Sequence, residues 1–162
     1  VPGQSQIFKA NPVLYQSGGD LARGIAVADV NKDGNLDVIV ANGATGKPNE
    51  STVGVLLGNG DGTLQTAVTY AVNRAGADAV AVADLNGDGW PDLVVGVNAG
   101  GGDPSLFVLL NRGDGTFEAA TGYPANYDIF SVAIADVNGD GKPDVIALAQ
   151  AGQDFSHSAI AV

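Results

Sequence analysis

One acidic nonapeptide recurs three times in this chain and restricts what can be built around it. The copies are Asp29-Val30-Asn31-Lys32-Asp33-Gly34-Asn35-Leu36-Asp37, Asp84-Leu85-Asn86-Gly87-Asp88-Gly89-Trp90-Pro91-Asp92 and Asp136-Val137-Asn138-Gly139-Asp140-Gly141-Lys142-Pro143-Asp144. Oxygen-bearing side chains stand at positions 1, 3, 5 and 9, with glycine at position 6. That alternation lets a tight loop turn several oxygens onto one point, and the glycine supplies the left-handed backbone the turn needs. A hard cation fits such a loop, calcium better than magnesium, because the ligands are numerous and all come from protein. An ordinary Asp/Asn/Gly turn needs one such residue, not four at fixed positions in three copies.

The flanks decide which loop this is. A helix-loop-helix calcium site requires an acidic residue at position 12, where this chain has Val40, Val95 and Ala147. Dockerin-type loops fail on the same position. Ahead of the loops stand Gly24–Ala28, Ala79–Ala83 and Ser131–Ala135, which alternate large and small apolar residues. Behind them stand Val38–Ala41, Leu93–Gly96 and Val145–Leu148. Period-two, β-branched runs bounded by turn residues predict strand–loop–strand, with the acidic loop at the tip of a β-hairpin.

On these residues the chain resembles the FG-GAP (VCBS-type) repeats that form the β-propeller of integrin α subunits and of many secreted bacterial proteins. The resemblance implies an all-β fold of four-stranded antiparallel blades, in which a D-x-[DN]-x-D-G-x-x-D loop joins the first two strands and holds calcium. Three ions per chain are then expected. Their side-chain ligands are Asp29, Asn31, Asp33 and Asp37, then Asp84, Asn86, Asp88 and Asp92, then Asp136, Asn138, Asp140 and Asp144. Position 7 (Asn35, Trp90, Lys142) is expected to offer its backbone carbonyl, which accounts for three unrelated side chains there.

Other markers repeat with the loops. The first aspartates, Asp29, Asp84 and Asp136, are 55 and 52 residues apart. Leu57-Gly58-Asn59-Gly60-Asp61-Gly62-Thr63-Leu64 matches Leu110-Asn111-Arg112-Gly113-Asp114-Gly115-Thr116-Phe117, a hairpin signal between apolar strands. Tyr15, Tyr70 and Tyr123 each precede a loop by 13 or 14 residues. Together they predict four strands per unit. The third strands are Val53–Leu57 and Leu106–Leu110, and the fourth run over Leu64–Tyr70 and Phe117–Tyr123. Variable Gly-rich segments join the second strand to the third. The first blade is expected over about 24–72, the second over 79–124, and the third over 130–162 completed by an N-terminal strand at 6–16.

Three blades leave too little arc for a ring. A homodimer closing six blades is therefore expected, with the N-terminal strand pairing in its own chain or its partner's.

Composition removes several classes. The net charge is −11, from 16 Asp and 2 Glu against 7 Lys and Arg, and nine of the Asp lie in the loops. Three divalent ions add six positive charges and bring it to −5. Nucleic-acid binding through backbone phosphates is not expected of so acidic a chain. There is no cysteine, hence no disulfide or thiolate metal site. No apolar run is long enough to span a membrane. The chain begins at Val1 and contains no Met. A processed or excised piece of an exported, extracellular or cell-surface bacterial protein is expected, any signal peptide lying upstream.

Arg112-Gly113-Asp114 spells an adhesive tripeptide, but its Gly and Asp are demanded by the hairpin. His157, the one histidine, has no partner of its kind and reads as a loop residue. No nucleophile, phosphate-binding or zinc motif is present, so no enzyme is expected. The expected role is binding or adhesion to a protein or glycan through variable loops. A carbohydrate-binding lectin and a non-catalytic scaffold domain are the alternatives.

Overall fold

A computed structural model describes residues 12–44, 50–98, 104–125, 127–151 and 157–161, with side chains to residue 150. It has eleven strands: β1 (Leu21–Ala28), β2 (Asp37–Gly43), β3 (Thr52–Leu56), β4 (Val68–Ala71), β5 (Ala77–Ala83), β6 (Asp92–Val97), β7 (Leu106–Leu109), β8 (Thr121–Tyr123), β9 (Asp128–Ala135), β10 (Asp144–Ala151) and β11 (His157–Ala161). They form three antiparallel sheets, ordered β1-β2-β3-β4, β5-β6-β7-β8 and β11-β10-β9. Each is a meander in chain order, as short turns between period-two runs dictate. The chain is all-β among the described residues, and no helix there is long and apolar enough to cross a membrane.

The sheets stack in sequence. β1 and β2 pack on β5, and β5 and β6 pack on β9. The first interface is the larger core, built from Val30, Ile39, Val53, Val55, Leu93, Val95, Phe107 and Leu109 among others. The second centres on Ile129, Ala147 and Ala149. β6 is buried at every position, which is why its sequence after Asp92 is continuously apolar instead of alternating. Gly24 sets the closeness of the first interface. A Cβ there would lie 2.8 Å from the Asp78 carbonyl oxygen and 2.9 Å from the Ala79 Cα, so only glycine lets β1 lie against β5.

Two irregularities repeat. In each hairpin flanking an acidic loop the ladder shifts by one residue, between Ala22 and Gly24, between Ala77 and Ala79, and between Leu148 and Ala149 opposite Phe130. Such a bulge re-aims a side chain. It turns Arg23 and Asp78 toward one another, and they pair at 2.6 Å across the first interface. The second irregularity shortens the fourth strand. Leu64 and Phe117 make single bridges to Gly58 and Asn111, and one extra residue intervenes before β4 and β8 resume. The fourth strands are therefore Val68–Ala71 and Thr121–Tyr123, shorter than the runs expected from sequence. Residues 12–17 form no strand, and Ser17 instead packs on the first sheet, its hydroxyl donating to Asn42 Oδ1 at 2.7 Å. The rest of the strand expected at 6–16 lies outside the described residues. Among those described, β11 has no further neighbour.

Candidate metal loops

The three acidic loops are the tips of the β1–β2, β5–β6 and β9–β10 hairpins and share one hydrogen-bond plan. At position 1, the Asp29 carboxylate accepts the N–H of Asp33 (3.2 Å) and of Gly34 (2.9 Å). Asp84 accepts those of Gly87 and Gly89, both at 2.8 Å. Asp136 accepts those of Gly139 (2.6 Å) and Gly141 (2.8 Å). At position 3, Asn31, Asn86 and Asn138 accept the N–H two residues on, at 3.1, 2.9 and 2.8 Å. At position 5, Asp33, Asp88 and Asp140 accept the N–H of position 7, each at 2.8 Å. Short polar side chains folding back on following N–H groups are what bend the chain here.

Positions 4 and 6 are left-handed throughout. Position 6 is Gly34, Gly89 and Gly141 at φ between 82° and 88°, and position 4 is Gly87, Gly139 and, exceptionally, Lys32 at φ 56°.

Position 9 does something different. Asp37 and Asp92 have no exposed surface. Asp37 accepts the N–H of Val30 and of Gly58, each at 2.8 Å, and Asp92 accepts those of Leu85 (3.0 Å) and Asn111 (2.8 Å). Each therefore staples its loop to the start of the third-strand hairpin of its own sheet. Asp144 is only half-buried, accepting the Val137 N–H at 2.9 Å and the Asn138 amide at 3.4 Å.

Hydrogen bonding to the charged form favours it. The Asn35 N–H, then the Asn31 amide, hold the Asp33 carboxyl below the ordinary carboxylate range. The Trp90 N–H and then Asn86 do the same for Asp88. The N–H groups of Gly141 and then Gly139 do so for Asp136.

The donor set can be tested against calcium. Among the described residues no three His, Cys, Asp or Glu side chains gather as a metal-holding group. Each loop carries an amide at position 3, and its position-9 carboxylate is already engaged by N–H groups. The donors present are nevertheless all oxygen, and a carboxylate oxygen that accepts one hydrogen bond keeps a second lone pair. Positions 1, 3 and 5 lie together at the loop head, pre-bent by their hydrogen bonds to the following N–H groups. The residues fit the ion in chemistry, with position 9 as the anchor of the loop.

Around the loops stand residues that sequence reasoning missed. Asn111 is buried and links the first and second sheets through its amide, which donates to Val30 O at 2.9 Å. The mismatch of Asn111 with Gly58 in otherwise matching hairpins was the visible signal. Lys32 places its ammonium 4.4 Å from the Trp90 ring centre. Tyr70 packs edge-on against Phe117 at 5.5 Å and accepts its N–H at 3.3 Å, so this tyrosine marks the seam between the first and second sheets. In the Arg112 tripeptide, Asp114 holds the Thr116 N–H and hydroxyl at 2.9 and 2.6 Å, duplicating Asp61 with Thr63. Asn35 rests against Gly60, and Lys142 borders a cleft beside Asp84 and Asn86. His157 lies in β11.

Residues 29–95 and 84–147 each match the FG-GAP-like repeat. A stretch of 81 residues is 38% identical to integrin alpha-7 of Homo sapiens, taking in 41% of this chain and 6% of the integrin. The repeat matches span more than half of the chain and contain all three loops. The chain is a member of the FG-GAP-like repeat family.

Proposed function

We propose that this chain is a calcium-stabilised β-propeller module that serves binding or adhesion outside the cell, with no catalytic role. The observation that carries the reading is the triplicate loop head, three clusters of side-chain oxygens held in one geometry at equivalent hairpin tips. Asp29, Asn31 and Asp33, with the position-7 carbonyl, would hold the first ion, and the corresponding residues of the other loops the second and third. A bound calcium supplies charge neutralisation where carboxylates otherwise repel. Charges about 4 Å apart at an effective dielectric near 20 repel by about 4 kcal/mol. What the chain itself contributes is a loop already bent by its own side chains and anchored at position 9. Extracellular calcium modules work at about 10⁻⁴ to 10⁻³ M, which suits this surface-exposed site. The integrin similarity supports an extracellular, adhesion-type setting.

Thermal unfolding with and without calcium tests the reading. Chelation should lower the melting midpoint, and Asp88→Ala should remove one of three ions counted by calorimetry. A melting curve indifferent to chelator would sink it.

We further propose that each sheet is one blade and that two chains close a six-bladed ring. Support comes from the two outer faces. Ile25 and Val27 on the first sheet are 68% and 56% exposed, and Leu148 on the third is 50% exposed, whereas β6 of the middle sheet is covered on both sides.

A further inference from the structure

The first and second loops touch through contacts that the second and third loops lack. Asn111, 6% exposed, uses its whole amide. Its nitrogen donates to Val30 O and Pro91 O, both at 2.9 Å, and its oxygen accepts the N–H of Gly113 (2.9 Å) and Gly115 (3.3 Å). Val30 is position 2 of the first loop and Pro91 position 8 of the second, so one side chain spans both. The turn it organises then lies on Asn31, since a Cβ on Gly115 would sit 2.7 Å from the Asn31 Cβ. Lys32 makes the second bridge, from position 4 of the first loop to the Trp90 ring at position 7 of the second. It keeps this place in a left-handed conformation that glycine fills in the other two loops. Between the second and third loops, position 4 is Gly87 and offers no side chain. There Asp84, Asn86 and Gly87 face Gly141 and Lys142 across a cavity of about 480 Å³.

Resting on the calcium reading above, we propose that the first and second loops bind divalent cations as a coupled pair, with Asn111 and Lys32 as the positioning residues, while the third loop binds independently. Ordering the first loop fixes the Val30 carbonyl and the Lys32 backbone. These fix Asn111 and Trp90, and so the Pro91 and Trp90 backbone of the second loop. Coupling of this kind is reciprocal and typically amounts to about 5- to 150-fold in affinity.

Trp90, the one tryptophan of the chain, belongs to the second loop, so terbium emission excited through it is strongest from that loop. Subtracting the emission of an Asp84→Asn/Asp88→Asn chain removes the share of the neighbouring first loop. Terbium is titrated into the full chain, into Asp29→Asn/Asp33→Asn, which disables the first loop, and into Asp136→Asn/Asp140→Asn, which disables the third. The first-loop lesion should raise half-saturation at the second loop about tenfold. The third-loop lesion should move it less than about twofold. In an Asn111→Gly/Lys32→Gly background the first-loop lesion should lose its effect. Both glycines already occur at the equivalent positions, Gly58 and Gly87, so the fold accepts them. Should the first-loop lesion unfold the chain, the unmodified and Asn111→Gly chains are compared directly. Coupling predicts a titration steeper than single-site binding, flattened by Asn111→Gly.

Equal effects of the two lesions, a second loop indifferent to the first, or a titration already single-site overturn the coupling. Coupling that survives the double-glycine background overturns the assignment to Asn111 and Lys32. Absence of any Trp90-sensitised emission counts instead against the calcium reading.

Discussion

At the scale of single residues, similar carboxylates do two kinds of work. Positions 1 and 5 stand at the loop head and bend it, while position 9 anchors it, sealed inside in the first two loops and half-buried in the third. The exposed set governs behaviour in acid. Asp33, Asp88 and Asp136 are held below the ordinary range by N–H donors, and Asp114 by the Thr116 hydroxyl and then its N–H. A carboxyl that protonates less readily in the folded chain than in the unfolded one stabilises the fold fully above the unfolded value, about pH 4 for Asp. That contribution disappears as pH falls through the lower folded value. Melting midpoints in chelator should thus fall steeply below about pH 4, and Asp33→Asn/Asp88→Asn should make the fall shallower. An unchanged slope would show that these loop carboxyls contribute little to acid sensitivity.

At the scale of the hairpin, the buried anchor decides how firmly the loop is held. Asp37→Asn keeps the shape but presents an amide N–H₂ to one of two backbone N–H groups that need an acceptor. An unsatisfied buried donor costs about 1–3 kcal/mol. Urea unfolding in chelator should show a loss of that size for Asp37→Asn and Asp92→Asn. Asp144→Asn should lose less, because Asp144 is half-buried and accepts a single backbone N–H. Equal losses at all three positions would contradict the anchoring role. The bulges act at this scale too. An extra residue at positions 23 and 78 makes an ion pair across two sheets out of strands that otherwise only stack.

At the scale of the molecule, the outer faces set the question. Apolar patches of this kind are uncommon on a free surface. The proposed two-fold ring would bury Ile25 and Val27 of one chain against Phe130 and Leu148 of its partner. Light scattering at micromolar concentration should return twice the 16.2 kDa chain mass, and Ile25→Asp should return it to one chain. A monomer in the unmodified chain would instead leave those faces to other parts of a longer polypeptide.

Much of this architecture could be read in advance, and the reason is local. Period-two runs around Asp29–Asp37 and its copies specify strand, tip and strand within about twenty residues, and the glycine at position 6 specifies the bend. None of that depends on distant parts of the chain. What the sequence could not supply was which carboxylate faces water and which is sealed in. Asp33 and Asp37 are the same residue type four positions apart, and only the third-strand hairpin, closing over Asp37 with the Gly58 N–H, separates them. Nor could it show that Asn111 reaches a carbonyl 81 residues away, because that bond exists only once two sheets are stacked. Local pattern determined the hairpins and their loops. Sheet-on-sheet packing, where burial and long-range hydrogen bonds are settled together, decided which loops touch.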